Sequence, residues 1–470
     1  MSVTGENRMS EVSSTSLRDV IRPGSKRGLD FVIIDELRKR TGINPNGIVK
    51  FAVAETLFNS LDKGSTHILI TLRREDAFDV LQVSDNGSKK LTLAEVKLIL
   101  DFDLKASSKR GHLRVSRGYL GNALKCIFGY SYALAESKGL GSPEIVVVSG
   151  CNEYHICLKP NLIKQVIESE VSTVPRQDNG YTTFILKFPK SESTETQTIK
   201  DLIFATSMVN PNRKISFNLF DFDLGTLGSE SGEHEVRSET SILWYDEKQF
   251  LNLYEDFLRV KPETQLKQFI ALFRGFTAKK VIREILQNLG SQNHDSGANG
   301  DVQFFPTTPM SGLVKPIMSK LFRELKARGK PIAKRSVPSV LGCVGEKAFE
   351  QLRTERQWQK LRYIQLSETK HECPEWYNHG PLESCKNPNH VQFPVLIELA
   401  VFDRNDGEGL KVYSCVNFMA SMEPIFSRVF DISYRLGLVG IKSDTSVTVA
   451  VHLVSPVLKW LNYGKSGLDE

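Results

Sequence analysis

No apolar run in the 470-residue chain approaches the roughly 20 residues that a membrane-spanning helix needs, so no membrane role is expected. The opening Met1-Ser-Val-Thr-Gly is polar and Ser-rich, unlike a secretory signal, and the expected compartment is the cytoplasm. Seven cysteines, an odd and scattered set, argue against a disulfide framework and for a reducing environment. No internal repeat is visible. A formal charge of +6 is modest, and 40% hydrophobic with 25% charged residues describes a soluble globular protein. The length exceeds what one core supports and suits about three domains.

What is present is three short stretches in the first third of the chain. In Glu55-Thr-Leu-Phe-Asn59-Ser-Leu-Asp62, Glu55 and Asn59 stand four apart and Asp62 three further on, so they share a helix face. Val49, Val53, Leu57 and Leu61 form a separate apolar stripe, which predicts an amphipathic helix packed on a sheet. Magnesium takes few protein oxygens, so one amide plus nucleotide phosphates makes a ligand set. A carboxylate one turn earlier could orient or deprotonate the attacking water. The second stretch, Val83-Ser-Asp85-Asn-Gly87, ends a strand-like run. A strand-end carboxylate there can accept from the amine of adenine, and Gly87 lets backbone approach the base. The third, Arg117-Gly118-Tyr-Leu-Gly121-Asn-Ala-Leu-Lys125, places two glycines before a helix opening near Asn122, a pattern that cradles phosphate. Each stretch alone also reads as an ordinary helix, turn or loop.

In order, the three resemble the GHKL ATPases, the superfamily of gyrase, the ninety-kilodalton heat-shock chaperone, histidine kinases and MutL proteins. The resemblance implies ATP and Mg²⁺ as cofactors, Glu55 as general base and Asn59 as magnesium ligand. It makes Asp85 the adenine contact, with Gly118 and Gly121 as lid hinges. A further element of the superfamily, a Thr on a later strand, is matched by Gly180-Tyr-Thr182-Thr183, with Thr182 the better candidate. Lys89 replaces the second turn glycine, and Tyr181 intervenes before Thr182. Leu37 to Asn46 ahead of the Glu55 helix, Val416 to Phe426, His452 to Pro456, and Trp460-Leu-Asn-Tyr-Gly-Lys465 narrow the resemblance to the topoisomerase VI B type. There Lys465 would reach the γ-phosphate. The implied fold is α+β: an α/β sandwich ATPase domain, a helical middle domain and an α/β transducer. The implied partners are DNA, a second protomer on ATP binding, and a separate DNA-cleaving subunit, since no cleaving module is recognisable in this chain. Two alternatives stay open: a clamp in DNA repair, silencing or defence without a cleaving partner, and a non-hydrolysing scaffold.

The expected divisions are a loose arm over 1–28, the ATP-binding domain over 29–200, a linker and helical middle domain over 201–335, and a transducer over 336–470 with strands returning from about 336. Eight basic residues between Lys315 and Arg335, opposed by Glu324, read either as a phosphate-backbone surface or as a solvated helix. Within 371–390, His371, Cys373, His379, Cys385 and His390 could close around tetrahedral Zn²⁺; the other reading is an inserted surface loop.

Overall fold

The structure, a computed structural model, describes residues 28–103, 111–116, 122–191, 196–220, 225–229, 240–261, 263–291, 304–372, 390–423, 425 and 432–458. The expected arm lies outside these apart from Gly28. Helices α1 (Ile34–Thr41) and α2 (Ile48–Asp62) lead into strands β1 (His67–Glu75) and β2 (Phe78–Asp85). Next come α3 (Leu93–Leu100), α4 (Ala123–Ser137), β3 (Ile145–Ser149), β4 (Asn152–Asn161), β5 (Val166–Pro175) and β6 (Thr182–Pro189). Helix α5 (Thr196–Met208) and strands β7 (Lys214–Leu219) and β8 (Gly225–Leu227) complete this unit.

The strands form one sheet in the order β5-β4-β3-β6-β2-β1-β7-β8, antiparallel except for the parallel pair β1 and β7. Alternate residues face the helices: Ile68, Ile70 and Leu72 on β1, and Phe184, Leu186 and Phe188 on β6, are all buried. Strands β7 and β8 lie beyond residue 200, yet they belong to this sheet. Ile215 and Leu219 are fully buried and finish its core, so the first unit extends to Leu227 instead of ending at 200.

Helix α2 corrects a second expectation. It is buried on every side, including Phe51, Ala54, Glu55, Thr56 and Ser60, because β2, α4 and α5 all pack against it. A helix enclosed all round is a core element, so the Glu55 face is not a solvated one. Helix α4 meets the turn at Gly28–Val32 so closely that a Cβ on Gly129 would lie 1.7 Å from the Phe31 carbonyl oxygen, which requires glycine there.

The helical region comprises α6 (Glu247–Val260), α7 (Leu266–Ile270), α8 (Lys279–Ser291) and α9 (Lys315–Arg328). Its centre is aromatic: Tyr245, Phe250, Phe269, Phe273 and Phe322 pair with ring centroids 5.2 to 5.8 Å apart. Two helices, α10 (Val337–Leu341) and α11 (Glu346–Glu355), intervene where strands were expected. The second sheet then comprises β9 (Lys360–Glu372), β10 (Val391–Asp403), β11 (Lys411–Val416), β12 (Met419–Ala420) and, after α12 (Ile432–Leu438), β13 (Val447–Val454). Its order is β12-β11-β13-β10-β9. Cys415, Met419 and Ala420 bury themselves in the first unit's core, and Cys415 Sγ donates to the Ala205 carbonyl at 3.3 Å. Helix α5 thus serves both sheets, and the architecture is α+β with sheets joined through a shared helix. Among the described residues no helix is long and apolar enough to cross a membrane.

Candidate functional site

Strand β2 runs its last residue, Asp85, into the core beneath α2. The carboxylate is 2% exposed and fully engaged. Its Oδ1 accepts from Ser65 Oγ and the Gly87 amide, each at 3.0 Å, and its Oδ2 accepts from Ser60 Oγ at 3.0 Å. Lys63 Nζ stands 3.5 Å from Oδ2. Asp85 is in register with Thr182 on β6, and Thr182 is hydrogen-bonded to Ser149 of β3 at 3.1 Å. A polar row of Asp85, Thr182 and Ser149 therefore crosses three adjacent strands of the sheet. Buried polar groups are costly unless partnered, and this row is both buried and partnered. Gly87 sits where a Cβ would come 2.8 Å from Asp85 Oδ1, so the turn admits no larger residue without displacing the carboxylate.

Ser60 and Asn59 are neighbours on α2, so the same helix that fixes Asp85 carries the first motif. Glu55 is buried and Asn59 half-buried one turn on; neither side chain has a hydrogen-bond partner among the described residues. Asp62, half-buried on the last turn, is engaged with a neighbouring group. Helix α4 packs against α2. Burial pushes the Cys126 thiol up to about 12, and the Glu55 carboxylate adds to the rise, which leaves this cysteine an inert core residue. Asn122 precedes α4 without capping it through its side chain. Lys125 Nζ turns back to the Asp101 carbonyl oxygen, and burial lowers its pKa. Gly118, Gly121 and Lys465 lie outside the described residues.

Residues 111–116, just before Gly118 and Gly121 in sequence, have an anchorage that no sequence pattern announced. The Leu113 amide donates to Tyr245 Oη at 2.7 Å, and Val115 packs with Val337, Leu341, Leu396 and Val454. The Ser116 carbonyl accepts from Asn417 Nδ2 at 3.1 Å. Asn417 and Phe418 form the turn between β11 and β12 and both hold positive φ, 49° and 65°. Phe418 O accepts from Asn210 Nδ2 at 2.6 Å, and the Phe418 amide donates to His452 Nε2 at 3.0 Å. One turn thus joins the lid approach, the end of α5 and the second sheet.

Behind that turn, Glu398 accepts from the Val344 and Gly345 amides at 2.9 and 2.8 Å, from Tyr363 Oη at 2.7 Å and from His452 Nδ1 at 2.9 Å. Burial works to raise the Glu398 carboxyl, but His452 and the two amides outweigh it and hold it at about 2. An acid and a histidine in line would suit proton relay. Here Nε2 is occupied by a main-chain amide, so the pair positions backbone and has no nitrogen left for a substrate proton.

The basic segment shrinks in three dimensions. Lys315 pairs with Glu255 at 2.6 Å, Arg323 approaches Glu247 at 3.9 Å, and Arg328 pairs with Glu284 at 3.1 Å. Lys326 turns inward to the carbonyls of Ile242, Leu243 and Tyr245, and burial brings it down to about 7. Lys330, Lys334 and Arg335 remain exposed. Of the candidate zinc ligands, His371 and His390 are stacked with Nδ1 and Nε2 3.2 Å apart, while Cys373, His379 and Cys385 lie outside the described residues. Among the described residues no group of three ligating side chains could hold a metal. Cavities of about 300 and 390 Å³ lie along the seam between α5 and β11 and are lined by none of the motif residues.

No family model and no curated protein matches the sequence. Among solved structures, the ATPase region of Saccharomyces cerevisiae topoisomerase II aligns at 8% identity with a TM-score of 0.36, over 90% of this chain and 76% of that one. The B-subunit of the DNA gyrase from Myxococcus xanthus aligns at 8% identity with a TM-score of 0.35, over 97% and 90%. Likenesses at these scores carry no inference about chemistry.

Proposed function

We propose that the chain is an ATP-hydrolysing, nucleotide-gated clamp of the GHKL type that acts on DNA. The observation that supports this best is the convergence on α2: the helix bearing Glu55 and Asn59 holds, through Ser60, the buried Asp85 at the end of β2, with Thr182 in register beside it. A carboxylate buried with hydroxyls at the edge of a core can accept from a base amine, which a solvated turn aspartate would do only in competition with water. Asn59, half-buried and unpartnered among the described residues, offers the amide oxygen that a magnesium ion would take together with phosphates. Bound there, the ion would offset phosphate charge. Glu55, one turn earlier, is enclosed and has no hydrogen-bond partner among the described residues, which suits a group that takes a proton from an attacking water.

The finer reading is a topoisomerase VI B-like subunit that dimerises on ATP and works with a separate cleaving subunit. Asp62, Gly87 and Asn122 keep their proposed places around the nucleotide. Lys465, Gly118 and Gly121 keep the roles that the sequence resemblance implies. Glu55→Gln tests the chemistry: ATP affinity should stay within about twofold of wild type while turnover falls roughly 10²- to 10⁴-fold. Wild-type turnover in the variant would remove Glu55 from the mechanism; absence of ATP binding by the wild-type chain would remove the nucleotide reading altogether.

A further inference from the structure

We infer that Lys63 gates the base-recognising carboxylate, its ammonium filling the acceptor position on Asp85 that an incoming base amine needs. The inference rests on the nucleotide reading above and adds a specificity-determining residue to that site. A carboxylate offers about four lone-pair positions. On Asp85 three are taken by hydrogen bonds, from Ser65 Oγ and the Gly87 amide on Oδ1 and from Ser60 Oγ on Oδ2, and the Lys63 ammonium stands over Oδ2 as an ion pair at 3.5 Å. An amine can bind only by replacing one of them.

Three of the four are fixed. Gly87 donates from main chain, and Ser60 and Ser65 are 3% and 1% exposed, with no space into which to withdraw. Lys63 differs in each respect. At 3.5 Å it is the longest contact, its side chain is 24% exposed, and it caps the C-terminal end of α2 on a flexible four-carbon stem. Its ammonium also lies 5.7 Å from the Phe184 ring. The lysine can therefore swing toward solvent, where rehydration compensates the ammonium, whereas turning Ser65 away would leave its hydroxyl buried and unpaired, and Ser60 Oγ is held in place by the Thr56 carbonyl, also 3.0 Å away.

This arrangement has two consequences for recognition. A base without an exocyclic amine leaves the ammonium where it is, so Lys63 sets a threshold that only an amine-bearing purine must overcome, and it narrows that purine's affinity margin over an amine-free one. The threshold is also modest, because a part-exposed ion pair is weak.

Calorimetric titration with ATP and with purine riboside triphosphate, which lacks the 6-amine, separates the cases. Lys63→Met should tighten ATP binding about fivefold and leave the analogue unchanged. Lys63→Arg, whose guanidinium can hold a carboxylate through two parallel bonds, should weaken ATP binding relative to wild type. Far-UV circular dichroism verifies that both variants fold. No gain for ATP in Lys63→Met, or an equal gain for both nucleotides, overturns the gate while leaving ATP binding itself intact. Asp85→Asn that still binds ATP with wild-type affinity overturns both the gate and the placement of the base.

Discussion

Replacing Glu398 by Gln probes how rigidly the second sheet holds the turn at Asn417 and Phe418. The carboxylate receives two donors on each oxygen: Gly345 N and Tyr363 Oη on Oε1, Val344 N and His452 Nδ1 on Oε2. A glutamine keeps one acceptor oxygen and presents an NH₂ to the other pair. If that NH₂ faces Val344 and His452, two donors oppose it, and His452 cannot change tautomer because Nε2 serves the Phe418 amide. If it faces Tyr363, the hydroxyl can rotate to accept, but the Gly345 amide is left unpaired. Hydrogen bonds to a charged group contribute about 1.5 to 3 kcal/mol each, so the expected loss is roughly 3 to 5 kcal/mol, the range for breaking a buried charged pair. The pH dependence has a definite sign. Because the Glu398 carboxyl is held at about 2 against an ordinary 4.5, its stabilisation is fully present above pH 4.5 and is lost as pH falls toward 2. That gap amounts to roughly 3 kcal/mol at about 1.36 kcal/mol per pH unit. Denaturant unfolding followed by tryptophan emission suits the measurement, since Trp358 packs 4.8 Å from Phe402 on this sheet. Wild type should exceed Glu398→Gln at pH 7, and the difference should close between pH 4.5 and 2. A loss under about 1 kcal/mol at pH 7, or a difference indifferent to acid, refutes the network as described.

Two further outcomes follow from the surface and the clamp. Neutralising Lys330, Lys334 and Arg335 together should lower the salt slope of DNA binding by up to about 3 units, at just under one per lost phosphate contact, whereas neutralising Lys315, Arg323 and Arg328 should move it by less than about one and act on stability instead. Equal effects of the two triple variants would mean that the ion pairs of α9 open on DNA. A non-hydrolysable ATP analogue should shift the sedimentation of the full chain from monomer toward a two-fold dimer, and a monomer with nucleotide demonstrably bound would sink the clamp.

The polar residues of the candidate site were legible where spacing speaks for geometry. Glu55 and Asn59 at helical spacing, and Asp85 before a glycine turn, lie where that spacing put them, on one helix and at a strand end. What escaped was the set of partners that makes Asp85 more than a turn residue. Ser60, Lys63 and Ser65 have no periodic signature and acquire meaning only when the end of α2 folds over the end of β2. The amphipathic reading of α2 failed for a related reason: the stripe of Val49, Val53, Leu57 and Leu61 is real, but α4 and α5 cover the opposite face with Phe51, Ala54 and Phe58 buried beneath them. The basic segment reads differently in three dimensions because a linear count of cations omits their acids. Glu247, Glu255 and Glu284 come from helices well upstream in sequence and meet α9 only in the bundle, so the local net charge of +7 counted by sequence is partly offset there.

The link between the two halves illustrates the same physics from the other side. Nothing in Asn417-Phe418 suggests a joint, yet two consecutive non-glycine residues at positive φ persist only where surrounding bonds over-determine them. Here those bonds come from Ser116, Asn210, and His452 with Ser455, three separate regions of the chain. A lid that moves on nucleotide binding must carry Ser116 with it or break its bond to Asn417, and Asn417 in turn is tied to the end of β13 through Ser455. On the proposed lid reading, the second sheet is therefore coupled to the lid approach through the Asn417 side chain, whose Nδ2 donates to both the Ser116 and the Ser455 carbonyls.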